Sequence, residues 1–175
     1  MATFAITVFF HRRCLFTKRA SYINFIHCIP HPKPDISHCN QHIEYTTDLY
    51  TRQCSLNISA RDLAVMGATL ADGGVNPITR DRVVNNDLCH YALAVMVTAG
   101  LYETSCDWLY DIGLPGKSGI GGGIVTVSHG KGGLGTFAPL LDGAGNSVKG
   151  QLAARFLSRS LGMDMFVSEP YTEKS

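Results

Sequence analysis

The stretch Gly113-Leu-Pro-Gly-Lys117-Ser118-Gly119-Ile-Gly-Gly-Gly-Ile124 decides how this chain is read. Gly113-Leu114-Pro115-Gly116 is a turn, because proline fixes φ and glycine admits the positive φ that other residues avoid. Beyond it, the β-branched side chains of Ile124-Val-Thr-Val127 favour a strand. Gly119, Gly121, Gly122 and Gly123 weaken a strand interior and need a compensating reason. Two reasons stay open here: close approach by a ligand or another backbone, or a glycine-rich bulge at a sheet corner. One lysine, one hydroxyl and bare backbone N–H groups suit an anionic or carbonyl-bearing substrate.

Working outward, Trp108-Leu-Tyr-Asp-Ile112 reads as a strand leading into this stretch. Gly130-Lys-Gly-Gly133 turns the chain back into Leu134-Gly-Thr-Phe-Ala138, a hairpin partner. Upstream, Ser59 and Asp62 form a capping box ahead of Leu63, Met66 and Leu70 at helical spacing, and Gly73-Gly74 closes that helix. A second helix is expected from about Asn86 to Ala99, burying Leu88, Ala92, Val95 and Met96, with Gly100 as its stop. A third starts at Ser147 and runs through Leu152, Phe156, Leu157 and Leu161 to Gly162. Asn146 reads as a loop residue before that start. The order is helix, helix, three antiparallel strands, helix: an α+β chain with helices packed on a sheet.

With 175 residues, 45% of them hydrophobic and 17% charged, the chain is long enough to bury a core of its own. A net charge of +1 argues against nucleic acid or an acidic membrane surface as a partner. No apolar run approaches the length that spans a bilayer. The six cysteines, Cys14, Cys28, Cys39, Cys54, Cys89 and Cys106, show no C-x-x-C pair or framework spacing. Free thiols in a reducing, cytosolic setting are the expectation.

Residues 1–44 differ from the rest. The apolar start Met1–Phe10 is followed, not preceded, by Arg12-Arg13, the reverse of a signal peptide. His11, His27, His31, His38 and His42 lie near Cys14, Cys28 and Cys39, but their spacing is irregular, so no metal site is expected. These residues read as an unrelated or poorly ordered leader joined at about Tyr45, ahead of one domain over 45–175.

Six strings resemble the C-terminal half of the serine-dependent glutaminases, in family order over about residues 46–166. They are Tyr50-Thr-Arg-Gln-Cys54-Ser55, Asp62-Leu-Ala-Val-Met66, Ala71-Asp-Gly-Gly-Val-Asn-Pro77, Gly100-Leu-Tyr102, Gly113–Gly119 and Leu141-Asp-Gly-Ala-Gly-Asn-Ser-Val-Lys-Gly150. The resemblance implies the C-terminal part of a serine β-lactamase-like fold and hydrolysis of L-glutamine to L-glutamate and ammonia, with no cofactor. The family route is an acyl-enzyme: a serine from a Ser-x-x-Lys helix attacks the side-chain amide, and backbone N–H groups hold the oxyanion. Tyr102 matches the active-site tyrosine, a phenol suited to proton transfer near lysines. Lys117 matches the Lys-Ser/Thr-Gly strand and is expected to contribute positive field. Tyr50 matches a second, substrate-contacting tyrosine. Ile120 stands where the family usually has valine, whose backbone N–H faces the substrate carbonyl. From the residues alone each has a plainer reading: packed tyrosines, a solvated strand-end lysine, a core isoleucine.

Three departures accompany the resemblance. The family nucleophile and its lysine lie upstream of the aligned strings, and residues 1–44 hold no Ser-x-x-Lys. Ser128-His-Gly-Lys131 is the one such string, and it falls in the expected hairpin turn, the wrong place for a helix-borne nucleophile. Cys106 stands where the family usually has glycine, expected to crowd the loop after Tyr102; Gly116 replaces an alanine, expected to be mild. The chain is therefore expected to be a glutaminase fragment that lacks its nucleophile half and is inactive alone, with homo-oligomers or association with a complete glutaminase implied. A non-catalytic partner of a complete glutaminase is one alternative. A penicillin-binding or β-lactamase-like relative is another, opposed by Tyr50-Thr-Arg-Gln-Cys54.

Overall fold

A computed structural model describes residues 5–10, 13–18, 22–24 and 43–167. In chain order the elements are β1 (Ala5–Phe10), β2 (Arg13–Lys18), β3 (Tyr22–Asn24), α1 (Ile43–Cys54), β4 (Asn57–Ser59) and α2 (Ala60–Ala71). They continue with α3 (Asn86–Ala99), α4 (Ser105–Ile112), β5 (Gly116–Ser118), β6 (Gly123–Ser128), β7 (Gly132–Phe137) and α5 (Val148–Ser160). One sheet has the order β2-β1-β7-β6-β5 with every neighbour antiparallel. β3 and β4 form a separate antiparallel pair.

The hairpin β6–β7 and its Gly130 turn are as the sequence predicts: Gly130 sits at φ 69 and the Lys131 N–H donates to the Ser128 carbonyl. Successive β6 residues face opposite sides. Ile124 joins Leu101, Trp108, Ile112, Leu114, Leu134, Ala154 and Met163 in one core. Val127 joins Ala71 and Met96 in another, with Val125 packed against it. The sheet is thus sandwiched, with α2 and α3 on one face and α4 and α5 on the other. Contact with α2 is close because β7 offers glycines there: a Cβ at Gly133 would fall on the Ala64 carbonyl, and one at Gly135 on the Ala60 carbonyl.

The capping box at α2 forms in both directions, Ser59 N–H to Asp62 Oδ2 at 2.7 Å and Asp62 N–H to Ser59 Oγ at 3.2 Å. Ser147 caps α5, its Oγ accepting the Gly150 N–H at 3.1 Å. Other expectations need correction. Trp108–Ile112 is not a strand but the end of α4. Buried Ser105, Trp108 and Ile112 recur at helical spacing while Tyr110 is 89% exposed; a strand would put residues 108, 110 and 112 on one face. In α3 Met96 is buried as expected, but its buried companion is Cys89, while Leu88 and Val95 are exposed. In α5 the small residues Gly150, Ala154 and Ser158 are buried, Ser158 donating to the Ile112 carbonyl of α4, while Leu152, Phe156 and, just past the helix, Leu161 are exposed. Close approach favours that choice, since a Cβ at Gly150 would come within 2.8 Å of Thr136 Oγ1.

Within the segment read as a leader, β1, β2 and β3 are paired strands; β1 runs along β7 from Ala5 opposite Phe137 to Phe10 opposite Gly132. The expected histidine and cysteine grouping of residues 1–44 lies outside the residues whose side chains are described.

Candidate functional site

The glycine-lysine stretch resolves into a turn, strand β5 and a second turn. Gly113 ends α4 in the left-handed region at φ 67, which glycine adopts without strain. At the far end Gly122 has φ 90, and a Cβ there would stand 2.5 Å from the Ala138 carbonyl oxygen. Of the two reasons left open by the sequence, the approach of another backbone therefore explains Gly122. In the turn between β5 and β6 the N–H groups of Gly119 and Gly122 are bonded to Gly123 and Gly119 carbonyls. Ile120 is exposed there, and its N–H donates to no protein acceptor among the described residues.

Lys117, the outward residue of β5, reaches back so that its Nζ lies 4.9 Å from the centroid of the Tyr102 ring, within cation–π range. The same Nζ donates to the Ser118 carbonyl at 2.6 Å. Protein packed around the ammonium removes water from it and lowers its pKa below the ordinary lysine value.

Tyr102 is brought to Lys117 by Gly100. A Cβ at Gly100 would collide with the Gly116 carbonyl, so only glycine lets the chain lie against β5, where Ser118 N–H bonds the Gly100 carbonyl at 3.1 Å. Tyr102 then opens a 3-10 turn over Tyr102–Thr104 with φ 54, a left-handed backbone that costs a non-glycine residue about 1–2 kcal/mol. Tyr102 as a residue is 42% exposed.

Asn146 is where the sequence reading falls short. It is fully buried, and its Nδ2 donates to Thr104 Oγ1 at 2.9 Å and to the Leu101 carbonyl at 3.4 Å. Its loop is folded around Asp142, whose Oδ1 accepts the N–H groups of Ala144 at 3.0 Å and Asn146 at 2.9 Å. Partial burial works against the Asp142 charge, but these bonds and that from Gln151 outweigh it and hold its pKa below the usual value. The cue was present in Leu141–Gly150, though its meaning needs the spatial neighbour.

Tyr50 is not brought to this group by any described contact. It sits on α1, exposed like the other side chains from Tyr45 to Arg52, and a hydrogen bond with Cys54 one turn on raises its phenol pKa. Cys106 does not crowd the loop after Tyr102; it is exposed on α4. Gly116 is not a mild replacement here, because an alanine Cβ would lie 2.7 Å from three atoms of the Trp108 indole. Ser128 and Lys131 are occupied with the C-terminal loop, bonding the carbonyls of Met163 at 3.4 Å and Gly162 at 2.6 Å. A cleft of about 830 Å³ lies at the other end of β5, lined by Cys89, His90, Pro115, His129 and Met163 among others; it includes none of Tyr102, Lys117 and Ile120.

Residues 33–166 match the family model described as Glutaminase. The chain belongs to the glutaminase family. The match begins at residue 33, ahead of the junction expected at about Tyr45. Glutaminase 2 of Yersinia pestis is 92% identical over 129 residues, which is 74% of this chain and 38% of that protein. Among solved structures, the probable glutaminase ybaS superposes with a TM-score of 0.69 at 49% identity, over 71% of this chain and 40% of that one. The Bacillus subtilis glutaminase YbgJ, solved as a covalent complex with 5-oxo-L-norleucine formed from 6-diazo-5-oxo-L-norleucine, gives 0.67 at 30% identity over 71% and 44%. The chain thus spans about two fifths of the length of these three glutaminases, and its α+β architecture is part of their β-lactamase-like fold. The penicillin-binding alternative is not favoured. Among the described residues no helix is long and apolar enough to cross a membrane.

Proposed function

We propose that this chain carries the tyrosine–lysine wall of a glutaminase site, acting on L-glutamine once a serine-bearing portion of the fold is joined to it. The observation that carries the reading is the Lys117 ammonium seated over the Tyr102 ring at 4.9 Å, on the strand that leads to Ile120, whose N–H has no protein acceptor among the described residues. In the reaction, the serine Oγ attacks the side-chain amide carbon, its proton passes to the departing nitrogen, and ammonia leaves. Water then hydrolyses the ester to L-glutamate and restores the serine. Lys117 supplies positive field, Tyr102 a phenol for the proton, Ile120 N–H a donor to the substrate carbonyl, and Tyr50 a substrate contact. No cofactor enters this route. Free Cys54, Cys89 and Cys106 support a reducing, cytosolic setting. Exposed Leu88, Tyr91 and Val95 on α3, with Leu152 and Phe156 on α5, support association with a copy or a complete glutaminase.

The test is ammonia release from glutamine by the purified chain, alone and co-expressed with the Ser-x-x-Lys portion of a glutaminase. The chain alone should release none, and 6-diazo-5-oxo-L-norleucine should leave its mass unchanged. The reconstituted pair should release ammonia, and Tyr102→Phe in this chain should cut that release at least tenfold. Release by the chain alone, or a pair indifferent to Tyr102→Phe, refutes the assignment.

A further inference from the structure

The reading above needs Tyr102 held against Lys117, and we propose that Asn146 is the positioning residue that holds it there. The inference rests on the assignment of Tyr102 and Lys117 to the site.

The turn that presents Tyr102 is in an unfavourable backbone state, φ 54, so something must over-determine it. Most of its polar ties are local. Leu101 N–H donates to Ser105 Oγ at 3.0 Å, Ser105 Oγ to the Tyr102 carbonyl at 2.8 Å, and Thr104 Oγ1 to the Leu101 carbonyl at 2.9 Å. Bonds within five residues travel with the turn, and the Ser118 N–H bond to the Gly100 carbonyl at 3.1 Å anchors the chain to β5 two residues before Tyr102 without reaching the turn itself. Asn146 is different: its amide reaches across 42 and 45 residues of sequence to Thr104 and Leu101. With the Thr104 hydroxyl it closes a triangle on the Leu101 carbonyl, the group directly before Tyr102.

The chemistry permits one orientation. The Leu101 carbonyl only accepts, so the amide nitrogen must face it, and both Nδ2 protons are used. Asn146 Oδ1 is left buried with no partner among the described residues, an arrangement that follows from the demands of the turn on Nδ2. The Asn146 backbone is fixed in turn, its N–H on Asp142 Oδ1 at 2.9 Å and its carbonyl accepting Asp142 N–H at 2.8 Å. Next to it Gly145, at φ 88, passes beside the Tyr102 ring: a Cβ there would stand 4.0 Å from Cε2. The loop therefore clamps the turn from behind and backs the ring.

The test is NMR on the intact chain carrying ¹³C-labelled lysine, reading the Lys117 ε-methylene resonance that the Tyr102 ring current displaces. Tyr102→Leu supplies the undisplaced position. Asn146→Ala should move the resonance at least halfway to that position, Thr104→Val should move it the same way by less, and Thr104→Ser should leave it unmoved. The Trp108 indole N–H, bonded to the Leu114 carbonyl at 2.7 Å, reports that the core is retained. Unmoved Lys117 resonances in Asn146→Ala and Thr104→Val, with the Trp108 signal retained, overturn the inference. Should Asn146→Ala fail to fold, Thr104→Val against Thr104→Ser decides by itself. Coincident wild-type and Tyr102→Leu resonances overturn the inference together with the Tyr102–Lys117 contact. Failure of the functional reading alone appears in the ammonia assay and leaves this signature intact.

Discussion

Gly116→Ala tests whether the strand bearing Lys117 is fixed by the packing of a single indole. The introduced Cβ would lie 2.7 Å from Cε2, Cζ2 and Nε1 of Trp108, against about 3.5–4.0 Å for an ordinary contact, so the ring must retreat by about 1 Å. Trp108 is 3% exposed and shares one core with Ile112, Leu114 and Met163, so a shift of its ring disturbs that packing. The 2.7 Å bond from its Nε1 to the Leu114 carbonyl would stretch beyond hydrogen-bonding range. Overpacking costs about 1–3 kcal/mol, and a buried donor left unpaired about 1–3 kcal/mol. Both describe one displacement and do not simply add, so the expected loss is about 2–4 kcal/mol. For a chain of this size that lowers Tm by roughly 4–16 °C. Trp108 is the only tryptophan, so its fluorescence follows urea unfolding and the displaced ring together. The midpoint should fall with an unchanged slope, and native emission should shift to the red. An unchanged midpoint with unchanged native emission would refute the packing argument.

Two further outcomes concern the site. Tyr102→Gly and Tyr102→Ala both remove the ring and differ only in the Cβ at φ 54, so the glycine variant should be the more stable by about 1 kcal/mol in urea; equal midpoints would mean the turn relaxes and stores no strain. Lys117 has a pKa lowered by desolvation in the folded chain, so between that value and the unfolded lysine value of about 10.4 the unfolded chain binds more protons and stability rises with pH. Urea midpoints of wild type relative to Lys117→Met should therefore climb as pH approaches 10.4, and a flat difference would show that the ammonium is well solvated.

Local chemistry made much of this protein legible. The Ser59–Asp62 box, the Ser147 cap, the span of α3 and the β6–β7 hairpin follow from short-range rules about caps, glycine and β-branched residues, which act within a few positions. The sequence also named Tyr102 and Lys117 through their motifs. Where two periodicities competed it misled: Trp108, Tyr110 and Ile112 alternate like a strand, yet burial of Ser105, Trp108 and Ile112 makes the segment a helix. Which face of α3 and α5 turns inward was likewise hidden, because the sheet accepts small residues at close range and leaves Leu88, Leu152 and Phe156 outside.

What only the tertiary structure decided is who meets whom. No local rule places Asn146 beneath Leu101 and Thr104, the Trp108 indole on Gly116, or Lys117 over the Tyr102 ring. Sequence alone determined the caps of α2 and α5, the span of α3 and the β6–β7 hairpin, and it put forward the candidate residues for the chemistry, since propensity and capping are properties of neighbours along the chain. Their pairing arises from close packing and from the need of buried polar groups for partners, and both join residues that are distant in sequence.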